Sequence, residues 1–148
     1  MAREITHIWR SGRWLALLPC ALAWIAGDAA TAPAVTVTTL MQRELADLPG
    51  KEALMLTVEY PPGAASLPHR HDADVFVYVL EGEVTMQVAG QPAVTLGPGG
   101  TFFEGPADVH VQSANTSARA PAKLLVVMVK ERGAPVSRAV TAAQGGSR

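Results

Sequence analysis

Residues 69–71 read His69-Arg70-His71 and lie between the turn Tyr60-Pro61-Pro62-Gly63 and the apolar run Val75–Leu80. In an extended strand, side chains two residues apart point to the same face. Both imidazoles are therefore expected to project together into the space that this face encloses. Two neutral imidazoles converging from one strand form half of a transition-metal site. The sequence predicts that His110 supplies the other half.

The first 32 residues differ from the rest of the 148-residue chain, whose length otherwise predicts one domain. Arg3, Arg10 and Arg13 precede an apolar run over 14–26, and small residues follow up to Ala32. This order of basic, apolar and small segments is typical of a secretory signal peptide. The run has 13 residues, whereas a membrane-spanning helix needs about 20. We therefore predict a cleaved signal peptide over 1–32 and a periplasmic or secreted protein without a stable membrane span; a permanent anchor is the weaker alternative.

Removal of residues 1–32 would leave no cysteine, because Cys20 lies in the leader. Disulfides, zinc-thiolate sites and cysteine nucleophiles are then excluded. Lys plus Arg falls from 12 to 9, and Asp plus Glu falls from 13 to 11. The resulting slightly negative charge argues against nucleic acid, which favours a basic surface. Five remaining aromatic residues are too few for a base-stacking platform.

Short β-branched and apolar runs, separated by Gly and Pro, make up most of the mature sequence. Strands about 8–12 residues apart with turn residues between them are typical of an all-β sandwich or barrel. Segment 40–48 is ambiguous and could hold one helical turn. The chain loses its periodicity at Gly133, so we predict a β-barrel domain over 33–132 and a flexible C-terminal tail over 133–148. The strands are predicted at 35–39, 54–60, 75–80, 84–88, 93–96, 101–103, 109–113 and 123–130.

The predicted strand 75–80 is apolar on both faces. Its valines share one face, and Phe76, Tyr78 and Leu80 share the other. A barrel strand with one face in water normally alternates apolar and polar residues. The outer face therefore needs a second cover, either the N-terminal segment or a partner subunit, and we predict a homodimer.

The spacing of these residues resembles the first motif of the cupin superfamily of small β-barrels, G-x5-H-x-H-x3/4-E-x6-G. Gly63, His69, His71 and Gly82 stand at the matching positions. The glutamate does not carry over, because Val75 occupies its position at the three-residue spacing.

The second cupin motif, G-x5-P-x-G-x2-H-x3-N, is matched by Gly99 and His110, with Asn115 one residue late. Gly105 and Ala107 stand where the proline and glycine are expected. The resemblance covers residues 54–129, nearly the whole predicted domain.

The resemblance implies a cupin-type double-stranded β-helix, or jelly-roll barrel, that holds a metal through three histidines and a glutamate. His69, His71 and His110 match the histidines. Asp74 stands one residue before the glutamate position and would need a bulge to face inward; otherwise it is a solvated carboxylate. Gln112 follows His110 in the same strand phase, so it is either an inward partner of the site or an ordinary polar strand residue.

The mature chain has only three histidines, and all three fall on motif positions. This favours metal binding over histidines kept for packing or pH response. Three imidazoles leave coordination positions open, as catalysis requires. Such a set is compatible with one divalent ion of iron, manganese, zinc, nickel or copper.

The leading hypothesis is an exported cupin that acts on a small molecule at a mononuclear three-histidine centre. The resemblance implies dioxygenase-like chemistry at iron or Lewis-acid chemistry such as isomerisation. The alternative is a non-catalytic periplasmic ligand- or metal-binding module, which the missing glutamate favours. The substrate is not readable from the sequence, because one fold hosts many chemistries.

Overall fold

The computed structural model describes residues 34–140, which form eleven β-strands. No helix occurs among these residues, so none of them forms an apolar helix long enough to cross a membrane. The predicted all-β class is confirmed. In chain order the strands are β1 (Thr36–Glu44), β2 (Lys51–Tyr60), β3 (Ala65–Ser66), β4 (His69–Arg70), β5 (Ala73–Glu81), β6 (Val84–Val88), β7 (Val94–Leu96), β8 (Thr101–Glu104), β9 (His110–Ala114), β10 (Ala122–Glu131) and β11 (Arg138–Ala139).

The strands pair into two antiparallel sheets whose inner faces enclose the core. The first sheet has the order β1-β2-β10-β5-β8, and the second has the order β11-β4-β9-β6-β7 with β3 paired to β9. Burial of a Val, Leu or Met side chain stabilises a fold by about 1.5–3 kcal/mol. The buried core includes Leu54, Leu56, Val75, Val77, Val79, Val84, Met86, Leu124, Val126 and Met128.

The outer face of β5 is apolar and exposed in the described chain. Phe76 is 52% exposed, and Phe103, its partner across the β5–β8 pair, is 53% exposed. Their ring centroids lie 5.3 Å apart. Residues 34–140 leave this face open, so the predicted homodimer stays a prediction.

Gly82 forms the turn between β5 and β6 and needs to be glycine for two reasons. Its φ of +70° lies in the left-handed region, which side chains with a Cβ rarely adopt. A Cβ at this position would also collide with the carbonyl oxygen of Pro121 and stand 2.7 Å from Cα of Ala122. The motif glycine thus allows two backbone segments to touch at one end of the barrel.

Substitution Gly82→Ala should destabilise the protein far more than Gly90→Ala, a matched control. Gly90 has a similar φ of +79° but nothing within 4 Å of its virtual Cβ. The left-handed conformation costs about 1–2 kcal/mol in either variant, and the collision adds about 1–3 kcal/mol at Gly82. Urea denaturation of both variants measures the difference. An equal loss of unfolding free energy in the two variants would show that the close contact at Gly82 does not add to the cost of the substitution.

The barrel continues beyond residue 132, so the predicted flexible tail does not begin at Gly133. Strand β11 pairs with β4, and Val140 donates its backbone N–H to the Pro68 carbonyl at 3.2 Å. We call residues 133–140 the C-terminal segment. Residues 141–148 and the predicted signal peptide over 1–32 lie outside the described residues. Segment 40–48 is not helical: β1 covers it up to Glu44, and residues 45–48 form a single turn in which the Leu48 N–H donates to the Leu45 carbonyl at 3.1 Å.

A buried ion pair between Lys130 and Glu52 anchors the C-terminal segment. Both side chains are 3% exposed, and Lys130 also donates to the Ala134 carbonyl at 2.7 Å. The Gly133 N–H donates to Glu52 Oε1 at 3.2 Å. Hydrogen bonds from Lys130 and Gln42 hold the pKa of Glu52 at about 2. Sequence analysis did not predict this ion pair, because a pair between distant strands produces no local pattern in the sequence.

Candidate metal centre

The structure brings His69, His71 and His110 together. Strand β4 pairs with β9 so that His69 stands directly opposite His110, and His71 follows β4. One ring nitrogen from each residue lies within 4.8 Å of the other two. The three imidazoles therefore meet although His110 lies 39 residues after His71 in the chain.

Backbone carbonyls fix the orientation of two of the imidazoles. His69 Nδ1 donates to the Leu67 carbonyl, and His71 Nδ1 donates to the Val136 carbonyl, both at 2.7 Å. Because the protons sit on Nδ1, each Nε2 presents a lone pair, and the two Nε2 atoms face one another at 3.1 Å. Burial, together with the neighbouring His71 and His110, lowers the pKa of His69. Two lone pairs aimed at one point are the arrangement that a metal ion requires.

Glu104, at the end of β8, is a site residue that sequence reasoning missed. It pairs directly with Val75, the position at which the motif glutamate is expected. Directly opposed residues of an antiparallel pair project from the same face, so the carboxylate occupies the neighbourhood of the missing one. Glu104 Oε1 lies 3.1 Å from His110 Nδ1, and Oε2 lies 3.6 Å from His71 Nε2.

Three buried polar atoms of this cluster have no hydrogen-bond partner: Glu104 Oε2 and both ring nitrogens of His110. Glu104 and His110 are each 2% exposed. The contact between them is short but not aligned as a hydrogen bond. Buried polar groups are nearly always satisfied, so the cluster has unused capacity for a cation.

Comparison with known proteins identifies the family. Residues 56–128 match the sequence family described as "Cupin domain". The chain is a small cupin-type protein. The prediction of a cupin-type double-stranded β-helix is thereby confirmed. No curated protein sequence matches this cupin significantly.

Solved structures with the same fold include two enzymes. The DMSP lyase DddQ from Ruegeria pomeroyi is 25% identical, with a TM-score of 0.52 over 59% of this chain, which spans only 42% of DddQ. The polyketide cyclase RemF from Streptomyces resistomycificus is 23% identical, with a TM-score of 0.56 over 75% of this chain and 74% of its own. A cupin superfamily protein from Desulfitobacterium hafniense is 15% identical, with a TM-score of 0.55 over 69% of this chain and 83% of its own.

Asp74 does not join the cluster. Burial alternates along β5 from Ala73 to Leu80, so Val75 is buried and Asp74 is exposed on the opposite face. Asp74 lies opposite Val129 of β10 without a bulge that would turn it inward. The inward carboxylate of this cupin comes from β8 instead.

Gln112 does not face the site, because a β-bulge interrupts the phase of β9. Val88 lies opposite His110 and Gln87 lies opposite Gln112, so β9 has one more residue than β6 between these pairs. The extra residue turns Ser113 inward, where it is 3% exposed. The same insertion explains why Asn115 stands one residue late in the motif.

Proposed function

We propose that this cupin holds one divalent transition-metal ion through His69, His71 and His110, with Glu104 as a fourth, carboxylate ligand, and acts on a small molecule bound in the barrel. The observation that carries the proposal is the set of unsatisfied atoms on Glu104 and His110. An unpaired buried carboxylate is costly, and a cation removes that cost. Three imidazoles and one carboxylate suit iron, manganese, zinc, nickel or copper.

Each of the three histidine rings has a neighbouring group that orients it or packs against it. The carbonyls of Leu67 and Val136 keep the His69 and His71 rings in the tautomer that ligates through Nε2. His110 lies beside the ring of Phe102, with centroids 5.9 Å apart. Such supports raise metal affinity by fixing ring orientation before binding. When bound, the ion would supply Lewis acidity or redox chemistry at positions that the protein leaves open.

The position of Glu104 weakens the argument for a non-catalytic binding module. That alternative drew on the absence of the motif glutamate, and Glu104 supplies a carboxylate directly opposite Val75. DMSP lyase and polyketide cyclase are the activities named for DddQ and RemF. A metal-dependent transformation of a small molecule is compatible with both names, whereas neither substrate transfers to this chain at these identities. Export and homodimer formation are part of the proposal and rest on the sequence alone.

Elemental analysis of untagged protein tests the metal. We expect about one transition-metal ion per chain, a fall in melting temperature on EDTA treatment and recovery on reloading. A ligand at 100 times its Kd stabilises the fold by about 2.7 kcal/mol, which a thermal scan resolves. Oxygen consumption by the iron-loaded protein would favour dioxygenase-like chemistry over Lewis-acid chemistry. A metal-free protein that melts unchanged with EDTA and with added metal would reject the proposal.

A further inference from the structure

The cluster of three histidines and Glu104 lies in the wall of a cavity of about 510 Å³ inside the barrel. His69, His71, His110 and Glu104 lie on its wall. The remaining wall is mostly apolar and is formed chiefly by Val58, Val75, Val77, Met86, Leu124 and Val126. The cavity therefore places polar ligand-binding groups in one patch of an otherwise apolar surface.

Glu104 is the only acidic side chain that lines this cavity within residues 34–140, and no Lys or Arg of that range lines it. The charged side chains nearby are committed to one another. Asp72 contacts Arg70 at 3.1 Å and Arg138 at 2.6 Å. With Glu104 bound to the metal, the cavity lining within residues 34–140 holds no further charged side chain that could pair with a charged ligand body.

A cluster of three hydroxyls supplies further polar atoms on the wall. Tyr60 OH lies 2.6 Å from Ser113 Oγ and 2.9 Å from Ser66 Oγ, and Ser113 Oγ donates to Met86 Sδ at 3.6 Å. These three bonds use all three hydroxyl hydrogens. A ligand can therefore meet only hydrogen-bond acceptors, the remaining oxygen lone pairs, at this cluster. Such a cluster tolerates an uncharged ligand but does not neutralise a charged one.

We infer that the ligand of this cupin is a molecule with an uncharged, mainly apolar body and one oxygen-donor group that binds the metal. The inference rests on the proposed function. Its first part follows from the apolar wall, because burying an unpaired charge costs several kcal/mol. Its second part follows from the position of the ligating cluster as the chief polar patch of the same cavity.

A matched series of hydroxamates on the Zn²⁺-loaded protein tests the ligand class. Zn²⁺ has no redox chemistry, so it does not oxidise the probes, and all members except one carry the same bidentate oxygen group. The probes are octanohydroxamic acid, its analogue with a terminal ammonium, its analogue with a terminal carboxylate, and octanamide, which lacks the chelating group. Isothermal titration calorimetry should show that octanohydroxamic acid binds about 100-fold more tightly than either charged analogue, which corresponds to about 2.8 kcal/mol. Octanamide should bind at least as weakly as the charged pair.

A Zn²⁺ titration before the hydroxamates separates the two proposals. If Zn²⁺ fails to bind, the proposed function is rejected and the ligand class with it. If Zn²⁺ binds at one ion per chain and the charged analogues bind as tightly as octanohydroxamic acid, the inference alone is overturned.

Substitution Val126→Thr locates the ligand body in the cavity. Val126 lines the cavity, and Val127 points from the same strand to the outer face. An added hydroxyl without a partner on the apolar wall should weaken octanohydroxamic acid binding by about tenfold, whereas Val127→Thr should leave it unchanged. Equal affinities in both variants and the wild type would place the ligand body outside the cavity and overturn the inference.

Discussion

Substitution Glu104→Gln is expected to weaken metal binding by at least about 100-fold, beyond the 10–100-fold that loss of an outer partner of a ligand typically costs. Glutamine keeps the shape of the side chain but removes the negative charge of the carboxylate, whose two oxygens face His71 and His110. The same change should raise the melting temperature of the metal-free protein, because it removes a buried carboxylate that lacks a full set of partners. Opposite effects on metal affinity and on metal-free stability would be difficult to obtain from a merely structural residue.

The cross-strand pair of Glu104 and Val75 allows a sharper control. The double substitution Val75→Glu/Glu104→Val moves the carboxylate across the β5–β8 pair to the position of the family motif, and it should restore most of the lost affinity. The single substitution Glu104→Val should not. Asp74→Asn provides the control for charge alone, because Asp74 is exposed on the opposite face. The assignment of Glu104 fails if Asp74→Asn costs as much affinity as Glu104→Gln, or if Glu104→Gln retains wild-type affinity.

Substitution His110→Ala should abolish stoichiometric metal binding while the β-barrel persists. His110 lies directly opposite His69 and is 2% exposed, so its loss removes one of the three proposed histidine ligands. Zn²⁺ titration after chelation measures the affinity, which should fall by more than about 100-fold. Far-UV circular dichroism monitors the fold.

His110→Gln keeps more of the side-chain volume and guards against collapse of the emptied site. It should lose metal binding in the same way. Gln112→Ala, two residues away on β9, is the control that should bind metal normally, because the bulge turns Gln112 away from the cavity. Stoichiometric metal in both His110 variants after chelation and reloading would show that the ion binds elsewhere.

Local sequence was sufficient to predict most of the barrel strands. The interval 84–88 coincides with β6, and 75–80 lies within β5, since period-two burial and flanking turn residues act over short distances. The meeting of His69, His71 and His110 was predictable because alternation in an extended segment puts the first two on one face and the family spacing supplies the third.

The missed features depend on pairing between distant strands. Glu104 enters the site only through the β5–β8 register, which no local pattern encodes. The local sequence offers one signal for Glu104: it lies two residues after Phe102 and therefore shares a face of β8 with it. The bulge that displaces Gln112 and the bridge between β4 and β11 are likewise set by partner strands. Alternation along one strand also suffices to turn Asp74 outward, and this was visible in the sequence once Val75 was assigned to the interior.

The bond between His71 and Val136 joins residues that are 65 positions apart. Before the C-terminal segment has docked, the His71 imidazole lacks the carbonyl that holds its proton on Nδ1 and leaves Nε2 free. Under the proposed function, tight metal binding is therefore expected only after residues 133–140 have docked on the barrel.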